Sequence, residues 1–374
     1  MAVKKKILFM HNTMPEYRIG WFQEMQKLAD VDFVFTNDGE YQKKYGLDMD
    51  KGTLENTTFL TAGWKGFHQL CGILGHIKKY DFIELPPVDT IHELLMSWVV
   101  CFLAHRHGVK LGYFWEKWEA PRNQQPIKRK IKNFLLGRAA WSVYRQADVL
   151  FAGSSMTKDY FISYGIDSDL ITVIPEASEC PSAPYVDIRE KYDIPADKIL
   201  LLYFGRIMPE KGPDVLLKAY AELNSTGEYY LLMAGDGDFL MNCRALAEQL
   251  QLSNIAFAGK VQPAMRANYF SQCDIFIFPA TYYGGWVDVW GLTVNEAVQF
   301  GKPVISTPAV GSAREMIKQG LNGFIVESDD ENAIWKAVIN CSGSDYRKTC
   351  SDYDKKLLKK YSCKRMAEEY ISFV

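Results

Sequence analysis

Short apolar runs alternate with stretches of helical spacing along the whole sequence. Lys6–Met10, Val31–Thr36 and Lys110–Trp115 are such runs in the first half, and Lys198–Phe204 and Asp274–Pro279 lie in the second. A nearly continuous apolar run is typical of a parallel strand that is buried on both faces. Strands that alternate with helices of period 3.6 indicate βαβ units. The pattern therefore predicts an α/β fold with open parallel sheets.

The length of the chain predicts two domains. A chain of 374 residues is longer than one hydrophobic core usually organises, and a turn-rich segment runs from Pro181 to about Pro195. We predict a first domain over residues 1–185 and a second over residues 196–354. A helical pattern over about 354–373 ends the chain.

The stretch after the Asp274–Pro279 run carries the clearest chemistry. A loop rich in glycine and aromatic residues leads to Gly291, and a helix is predicted to begin near Thr293. The free N–H groups and positive dipole end of such a helix suit a phosphate. Asp288 and Glu296 flank this position, and carboxylates accept hydrogen bonds from sugar hydroxyls. A nucleotide sugar combines both groups. The alternatives are that Asp288 is only a turn residue and Glu296 only a surface acid.

The same stretch resembles the signature of retaining glycosyltransferases of family 4, the glycosyl transferases group 1, which have the GT-B fold. Seven residues separate Asp288 from Glu296, and Ala297 and the Gly301–Val304 strand start follow. The first acid of the family is Glu, whereas it is Asp here. The resemblance implies two Rossmann-like domains that face a central cleft, with a C-terminal helix, about 355–374, that crosses back to the N-terminal domain. It also implies that Asp288 holds the donor sugar and that Glu296 holds the ribose.

A basic pair follows the Lys198–Phe204 run. Arg206 and Lys211 resemble the family pair that grips the donor diphosphate, whose growing negative charge must be neutralised during transfer. Two cations and a helix N-terminus can do this without a metal, so we expect no metal and no cofactor besides the nucleoside diphosphate sugar as co-substrate. Catalytic roles are predicted for Arg206, Lys211 and Asp288. The donor-binding set that the resemblance implies is Gly205, Arg206, Lys211, Lys260, Val261, Asp288, Gly291, Leu292, Thr293 and Glu296.

Two residues of the first half are candidates for contacts with the acceptor or the sugar. Arg18 follows the first predicted strand, and Glu116 follows the strand that ends at Trp115. Ligands of open α/β sheets bind at the carboxyl ends of strands, which is where both residues are expected. Many relatives have a histidine in the region of Glu116. Arg18 could contact a phosphate, and the alternative is an ordinary solvated arginine. The alternative for Glu116 is that it has no role in binding.

A basic amphipathic segment over residues 125–138 predicts contact with an anionic membrane surface. The alternative is an ordinary helix with a solvated basic face. The longest apolar run, Leu94–Ala104, is too short to span a bilayer and predicts a buried helix. No signal peptide is visible. Eight cysteines without a C-x-x-C pair indicate reduced thiols. We therefore expect a cytoplasmic protein, with the inner face of the plasma membrane as the place of any lipid contact.

These features predict a glycosyltransferase that moves a sugar from a nucleoside diphosphate sugar to an acceptor hydroxyl with retention. The expected acceptor is a glycan or lipid-linked glycan, in glycan or cell-envelope polysaccharide synthesis. A net charge of −2 argues against a nucleic-acid partner. The alternatives are a sugar-nucleotide hydrolase or epimerase, and a non-catalytic nucleotide-sugar-binding protein.

Overall fold

A computed structural model describes residues 4–36, 53–61, 64–88, 91–180 and 182–374. The chain forms two compact units. The first contains Met1–Trp118, Ile127–Ser178 and Tyr361–Val374, and the second contains Glu119–Pro126 and Glu179–Lys360. Residues 119–126 thus cluster with the second unit, although they lie inside the range predicted for the first domain.

The first unit is built on a seven-stranded parallel sheet with the order β3-β2-β1-β4-β5-β6-β7. Each strand pairs with its neighbours in parallel register, as in the pairing of Ile7 with Val31 and with Phe82. The strands are β1 (Lys6–His11), β2 (Asp30–Phe35), β3 (Thr57–Phe59), β4 (Phe82–Glu84), β5 (Lys110–Trp115), β6 (Val149–Ala152) and β7 (Ile171–Val173).

Helices cover both faces of this sheet, because its strands are apolar on both sides. One core joins the strands to α2, α3, α4 and α5, and the other joins them to α1 and the C-terminal helix. The described helices of the first unit are α1 (Ile19–Leu28), α2 (Trp64–Leu74), α3 (Ile91–His107), α4 (Ile127–Tyr144) and α5 (Ser155–Ser163). The prediction of a buried helix around Leu94–Ala104 is only half right, because one face of α3 is exposed.

The second unit is built on a six-stranded parallel sheet with the order β10-β9-β8-β11-β12-β13. Its strands are β8 (Ile199–Phe204), β9 (Tyr229–Ala234), β10 (Ile255–Gly259), β11 (Ile275–Phe278), β12 (Val304–Ser306) and β13 (Gly323–Ile325). Its helices are α6 (Ile188–Lys191), α7 (Pro213–Asn224), α8 (Leu240–Gln249), α9 (Arg266–Gln272), α10 (Leu292–Gln299), α11 (Gly311–Met316), α12 (Glu331–Cys341) and α13 (Ser344–Leu357). The two Rossmann-like sheets confirm the predicted fold class.

The C-terminal helix belongs to the first unit, but the single helix predicted over 354–373 is wrong. The structure has α13 in the second unit and then α14 (Cys363–Ile371) in the first. The break occurs because the Ser362 hydroxyl caps α14 by accepting a hydrogen bond from the Arg365 N–H at 3.2 Å. Within α14, the Tyr370 hydroxyl donates to Glu84 Oε2 at 2.8 Å, in the middle of the first sheet.

All eight cysteines are free thiols, and all of them except Cys71 are buried. Within the described ranges, the search for a helix with the length and apolar character of a membrane span finds none.

Candidate functional site

The end of β8 brings Lys211 to the carboxyl edge of the second sheet. A short 3₁₀ turn over Pro209–Lys211 ends at Gly212, which has a φ of +65°. A Cβ at this glycine would lie 2.0 Å from the Pro279 carbonyl oxygen. The position therefore requires glycine for both its backbone conformation and its close approach to the end of β11. This packing fixes Lys211 beside the loop that follows β11.

Lys211 is buried and forms an ion pair with Asp288, which is partly buried. The Lys211 Nζ lies 2.5 Å from Asp288 Oδ2 and 4.0 Å from the centre of the Trp286 ring. Burial lowers the pKa of Lys211, and so does the nearby Arg206, whereas Asp288 raises it. The pair joins a residue predicted to hold the diphosphate to a residue predicted to hold the sugar.

Arg206 lies at the same edge and is exposed. Its carbonyl accepts a hydrogen bond from the buried Tyr203 hydroxyl at 2.8 Å, which fixes the backbone just after β8 and Gly205. Arg206 is close enough to Lys211 to oppose its charge. Two cations that lie together favour an anionic ligand.

The N-terminus of α10 lies beside this pair. Gly291 caps the helix with a φ of +83°, and the first helical residues are Leu292 and Thr293. A Cβ at Gly291 would lie 2.5 Å from Val310 Cγ1, so glycine is required here too. The Thr293 hydroxyl is buried and has no hydrogen-bond partner among the described residues. A helix start with an available hydroxyl can donate hydrogen bonds to a phosphate.

Glu296 is fully buried one turn further along α10, where Arg266 Nη1 lies 2.9 Å from its Oε1. Arg266 begins α9, after the connection that follows β10. Sequence reasoning missed Arg266, because 30 residues separate it from Glu296 and no local motif marks it. The ion pair compensates a carboxylate that burial alone would make very costly.

Lys260 and Val261 lie in the β10–α9 connection. Lys260 is exposed and Val261 is half-buried. The connection ends at Arg266, which is ion-paired with Glu296 of α10. The two predicted donor contacts therefore lie on a loop that leads to the partner of Glu296.

The two candidates of the first unit meet in one buried cluster at the carboxyl edge of its sheet. Arg18 Nη2 lies 2.6 Å from Glu176 Oε1 and is also ion-paired with Glu116. Arg18 Nη1 and His11 Nε2 are in hydrogen-bond contact at 2.6 Å. Burial and the Arg18 charge lower the pKa of His11 well below its usual value. His11 is therefore neutral, and the ring nitrogen facing Arg18 is its acceptor.

This cluster changes the interpretation of Arg18. The side chain is buried and faces two carboxylates, so the idea of a solvated arginine is wrong and a phosphate contact loses its basis. Glu116 is less buried than Glu176, and its side chain is about a quarter exposed. His11 and Glu176 carried no sequence signal, because both depend on the packing of distant strands.

A search of the described residues finds no group of three or more His, Cys, Asp or Glu side chains that could hold a metal ion.

The second unit matches a known family over most of its length. Residues 186–357 match the family described as Glycosyl transferases group 1. This region is a group 1 glycosyltransferase domain. The match confirms the predicted family, while its narrower placement in family 4 stays a prediction.

The chain is also similar to parts of curated glycosyltransferases. The chain is 28% identical over 201 residues to a GDP-mannose-dependent α-(1-6)-phosphatidylinositol monomannoside mannosyltransferase of Mycolicibacterium smegmatis, covering 51% of this chain and 52% of that protein. It is 27% identical over 255 residues to a D-inositol 3-phosphate glycosyltransferase of Xylanimonas cellulosilytica, covering 62% and 60%. The chain spans about half the length of the curated relatives that it matches.

Solved structures show the fold over nearly the full chain. HepE of Anabaena, crystallised with UDP, has a TM-score of 0.74 and 18% identity, covering 98% of this chain and 99% of that one. Sucrose-phosphate synthase of Thermosynechococcus elongatus has a TM-score of 0.73 and 18% identity, covering 99% and 98%. At these identities the likeness is one of fold.

Proposed function

We propose that this protein transfers a glycosyl group from a nucleoside diphosphate sugar to an acceptor hydroxyl, with retention at the anomeric carbon. The observation that carries the proposal is the Lys211–Asp288 pair beside the N-terminus of α10. The pair supports the proposal because Lys211 is predicted to hold the diphosphate and Asp288 the sugar, and both lie in the region that matches the group 1 glycosyltransferases.

The positive groups bind the diphosphate in this proposal. Arg206, Lys211 and the Thr293 helix start neutralise the charge that develops on the leaving nucleoside diphosphate. Arginine provides a forked contact and lysine a point charge. Asp288 accepts hydrogen bonds from the donor sugar, and Glu296, held by Arg266, accepts hydrogen bonds from the ribose.

The proposed step breaks the bond from the anomeric carbon to the leaving phosphate oxygen. A bond to the acceptor oxygen forms on the same face of the sugar. The acceptor hydroxyl loses its proton, and the released diphosphate takes it. This step needs no side-chain nucleophile, and the cations hold the diphosphate in the position where it receives the proton.

Glu116 is the proposed acceptor contact of the first unit. Its carboxylate is held by Arg18 and retains partial exposure, so it can accept a hydrogen bond from an acceptor hydroxyl. Arg18 positions Glu116 in this proposal, while Glu176 and His11 position Arg18. The acceptor is a glycan or a lipid-linked glycan, in keeping with the predicted role in polysaccharide synthesis.

A thermal-shift panel of nucleoside diphosphate sugars tests donor binding. The HepE complex holds UDP and the Mycolicibacterium relative is named for GDP-mannose, so both nucleotide classes belong in the panel. A true donor raises the unfolding temperature according to mass action. Product analysis with and without glycan acceptors then separates transfer from hydrolysis.

Substitution of the two cations tests their predicted role. Lys211→Ala and Arg206→Ala should each lower turnover by about a hundredfold or more, because one charge that neutralises the leaving group is lost. Lys218→Ala is the matched control, since Lys218 is a partly exposed lysine of α7 that pairs with Asp214 and Glu331. Wild-type turnover in both site variants would contradict the diphosphate assignment.

A further inference from the structure

Helix α3 turns an apolar face to solvent. Ile91, Leu95, Trp98 and Phe102 follow one another at helical spacing and are between 43% and 77% exposed. The opposite face, with Met96 and Val100, is buried against the sheet. The outer face of a surface helix usually carries charged residues, whereas the face of α3 is apolar over three turns.

Helix α4 extends this apolar face. Ile127, Ile131, Phe134 and Leu135 are between 55% and 74% exposed. The helices pack side by side, and the Trp98 indole donates a hydrogen bond to Ser142 Oγ of α4 at 2.9 Å. The two helices are therefore neighbours, and Trp64 of α2, which packs against α3, is 87% exposed.

Basic residues accompany the apolar side chains. Lys128 and Lys130 are exposed on α4, and the Arg138 guanidinium lies 5.0 Å from the centre of the Phe134 ring. The sequence of α3 and α4 contains one acid, Glu93, which is only 4% exposed. This combination of exposed large apolar groups and cations fits the headgroup region of an anionic bilayer.

Charge also decides between a bilayer and a second copy of the chain. In a symmetric dimer through this face, the same patch of both copies would meet. The basic residues of α4 would then approach one another without acids to compensate them, which is unfavourable. An anionic lipid surface has the opposite charge.

We propose that the outer faces of α2, α3 and α4 form a docking surface for an anionic lipid bilayer. The proposal extends the predicted contact of residues 125–138, because Ile91, Leu95, Trp98 and Phe102 of α3 add four exposed apolar side chains to it. Tryptophans such as Trp64 and Trp98 favour the membrane interface, where an apolar ring meets polar headgroups.

The surface lies near the proposed acceptor contact. Helices that connect parallel strands begin at the carboxyl edge of the sheet, so the first turns of α3 and α4 lie at the edge that carries Glu116 and Arg18. Docking there would present a lipid-borne acceptor hydroxyl to Glu116. This last step rests on the proposed function, whereas the docking does not.

Vesicle flotation tests the docking surface. The full chain is mixed with phosphatidylcholine vesicles and with vesicles that also contain phosphatidylglycerol, at low and high salt. We expect binding to the anionic vesicles that weakens at high salt. Leu95→Gln combined with Phe102→Gln should weaken binding by about tenfold or more, because two inserting side chains are lost. Lys128→Gln combined with Lys130→Gln should remove most of the salt dependence.

The matched control is Met241→Gln combined with Ile339→Gln, two exposed apolar residues of the second unit. It should bind vesicles like the wild type. Thermal unfolding and the shift produced by a nucleoside diphosphate sugar should be unchanged in every variant, which separates a docking defect from misfolding and from failure of the proposed function. The proposal is overturned if the wild type ignores anionic vesicles, if the α3 variant binds them normally, or if sedimentation shows a dimer that the α3 substitutions dissociate.

Discussion

Lys211 lies where burial alone would disfavour a cation. Its ammonium stays compatible with this site because Asp288 is 2.5 Å away. The same logic applies to Glu296, which Arg266 compensates, and to Arg18, which faces Glu116 and Glu176. At the residue scale, Lys211, Glu296 and Arg18 are buried charges, and each is held by an opposite charge. Such groups are costly unless paired, and removing one partner exposes that cost.

The Asp288 charge should control the pH range in which Lys211 is protonated. Burial already lowers the pKa of Lys211, and Asp288 opposes this shift. In Asp288→Asn the pKa should fall further, so the ammonium loses its proton at lower pH. We expect the alkaline loss of donor affinity to begin at lower pH than in the wild type, as measured by calorimetric titration across neutral and alkaline pH. If donor affinity falls over the same alkaline pH range in both proteins, Lys211 does not govern donor binding.

Arg266→Met should destabilise the second unit by about 3 kcal/mol, because it removes the guanidinium that compensates the buried Glu296 carboxylate. Combining it with Glu296→Gln should restore most of the loss, since the buried charge is then absent. Chemical denaturation of the single and double variants measures both effects. Additive destabilisation in the double variant would indicate that the ion pair does not carry the effect.

At the element scale, a polar contact inside an apolar core joins α14 to the first sheet. Glu84 accepts hydrogen bonds from the Phe114 N–H and from the Tyr370 hydroxyl, and the Tyr370 ring packs against Phe151. Burial raises the pKa of Glu84 to about 8. The buried carboxyl is thus largely protonated at neutral pH, and its ionisation should destabilise the first unit because an ionised carboxylate is costly to bury.

Glu84 should make the first unit less stable as pH rises. The folded state retains a proton between about pH 4.5 and about pH 8 that the unfolded chain has released. Its contribution is therefore complete below the unfolded pKa and is lost as pH rises through the folded pKa, at up to about 1.4 kcal/mol per pH unit. Glu84→Gln imitates the protonated acid. Denaturant unfolding of both proteins across this range should show a smaller slope for the variant, and equal slopes would refute the shift.

At the scale of the whole molecule, the two units have separate cores although the chain passes between them more than once. Residues 361–374 return to the first unit after the second is complete. There, α14 contributes Cys363, Met366, Ala367 and Tyr370 to the core that contains α1. The integrity of the first unit therefore depends on the last residues of the chain.

Removal of residues 361–374 should strongly destabilise the first unit, whereas donor binding by the second unit should be retained. Each large apolar side chain lost from a core costs about 3–5 kcal/mol. The truncation removes several of them at once, so the loss should be large. Calorimetry should show an early or absent unfolding transition for the first unit. The second unit should keep a transition whose midpoint temperature rises when a nucleoside diphosphate sugar is added. An unchanged melting profile of the truncated chain would argue against this division of the cores.

Local pattern determined much of the architecture. Apolar runs marked β1, β5, β8 and β11, because a strand buried on both faces must be apolar throughout. The sequence also placed Arg206 and Lys211 after β8, since each is a few residues from a strand end that the pattern identifies. Periodicity did not predict the boundary between α13 and α14, where Ser362 caps the second helix.

Tertiary structure alone decided which distant groups pair and which faces stay exposed. Arg266 reaches Glu296, and Arg18 reaches Glu176 across 158 residues, because separate strand ends meet at one sheet edge. The apolar sequence of α3 predicted burial, but a helix has two sides, and only the neighbouring elements determine whether both are covered. Periodicity is a property of short segments, whereas charge pairing and exposure depend on how those segments are packed.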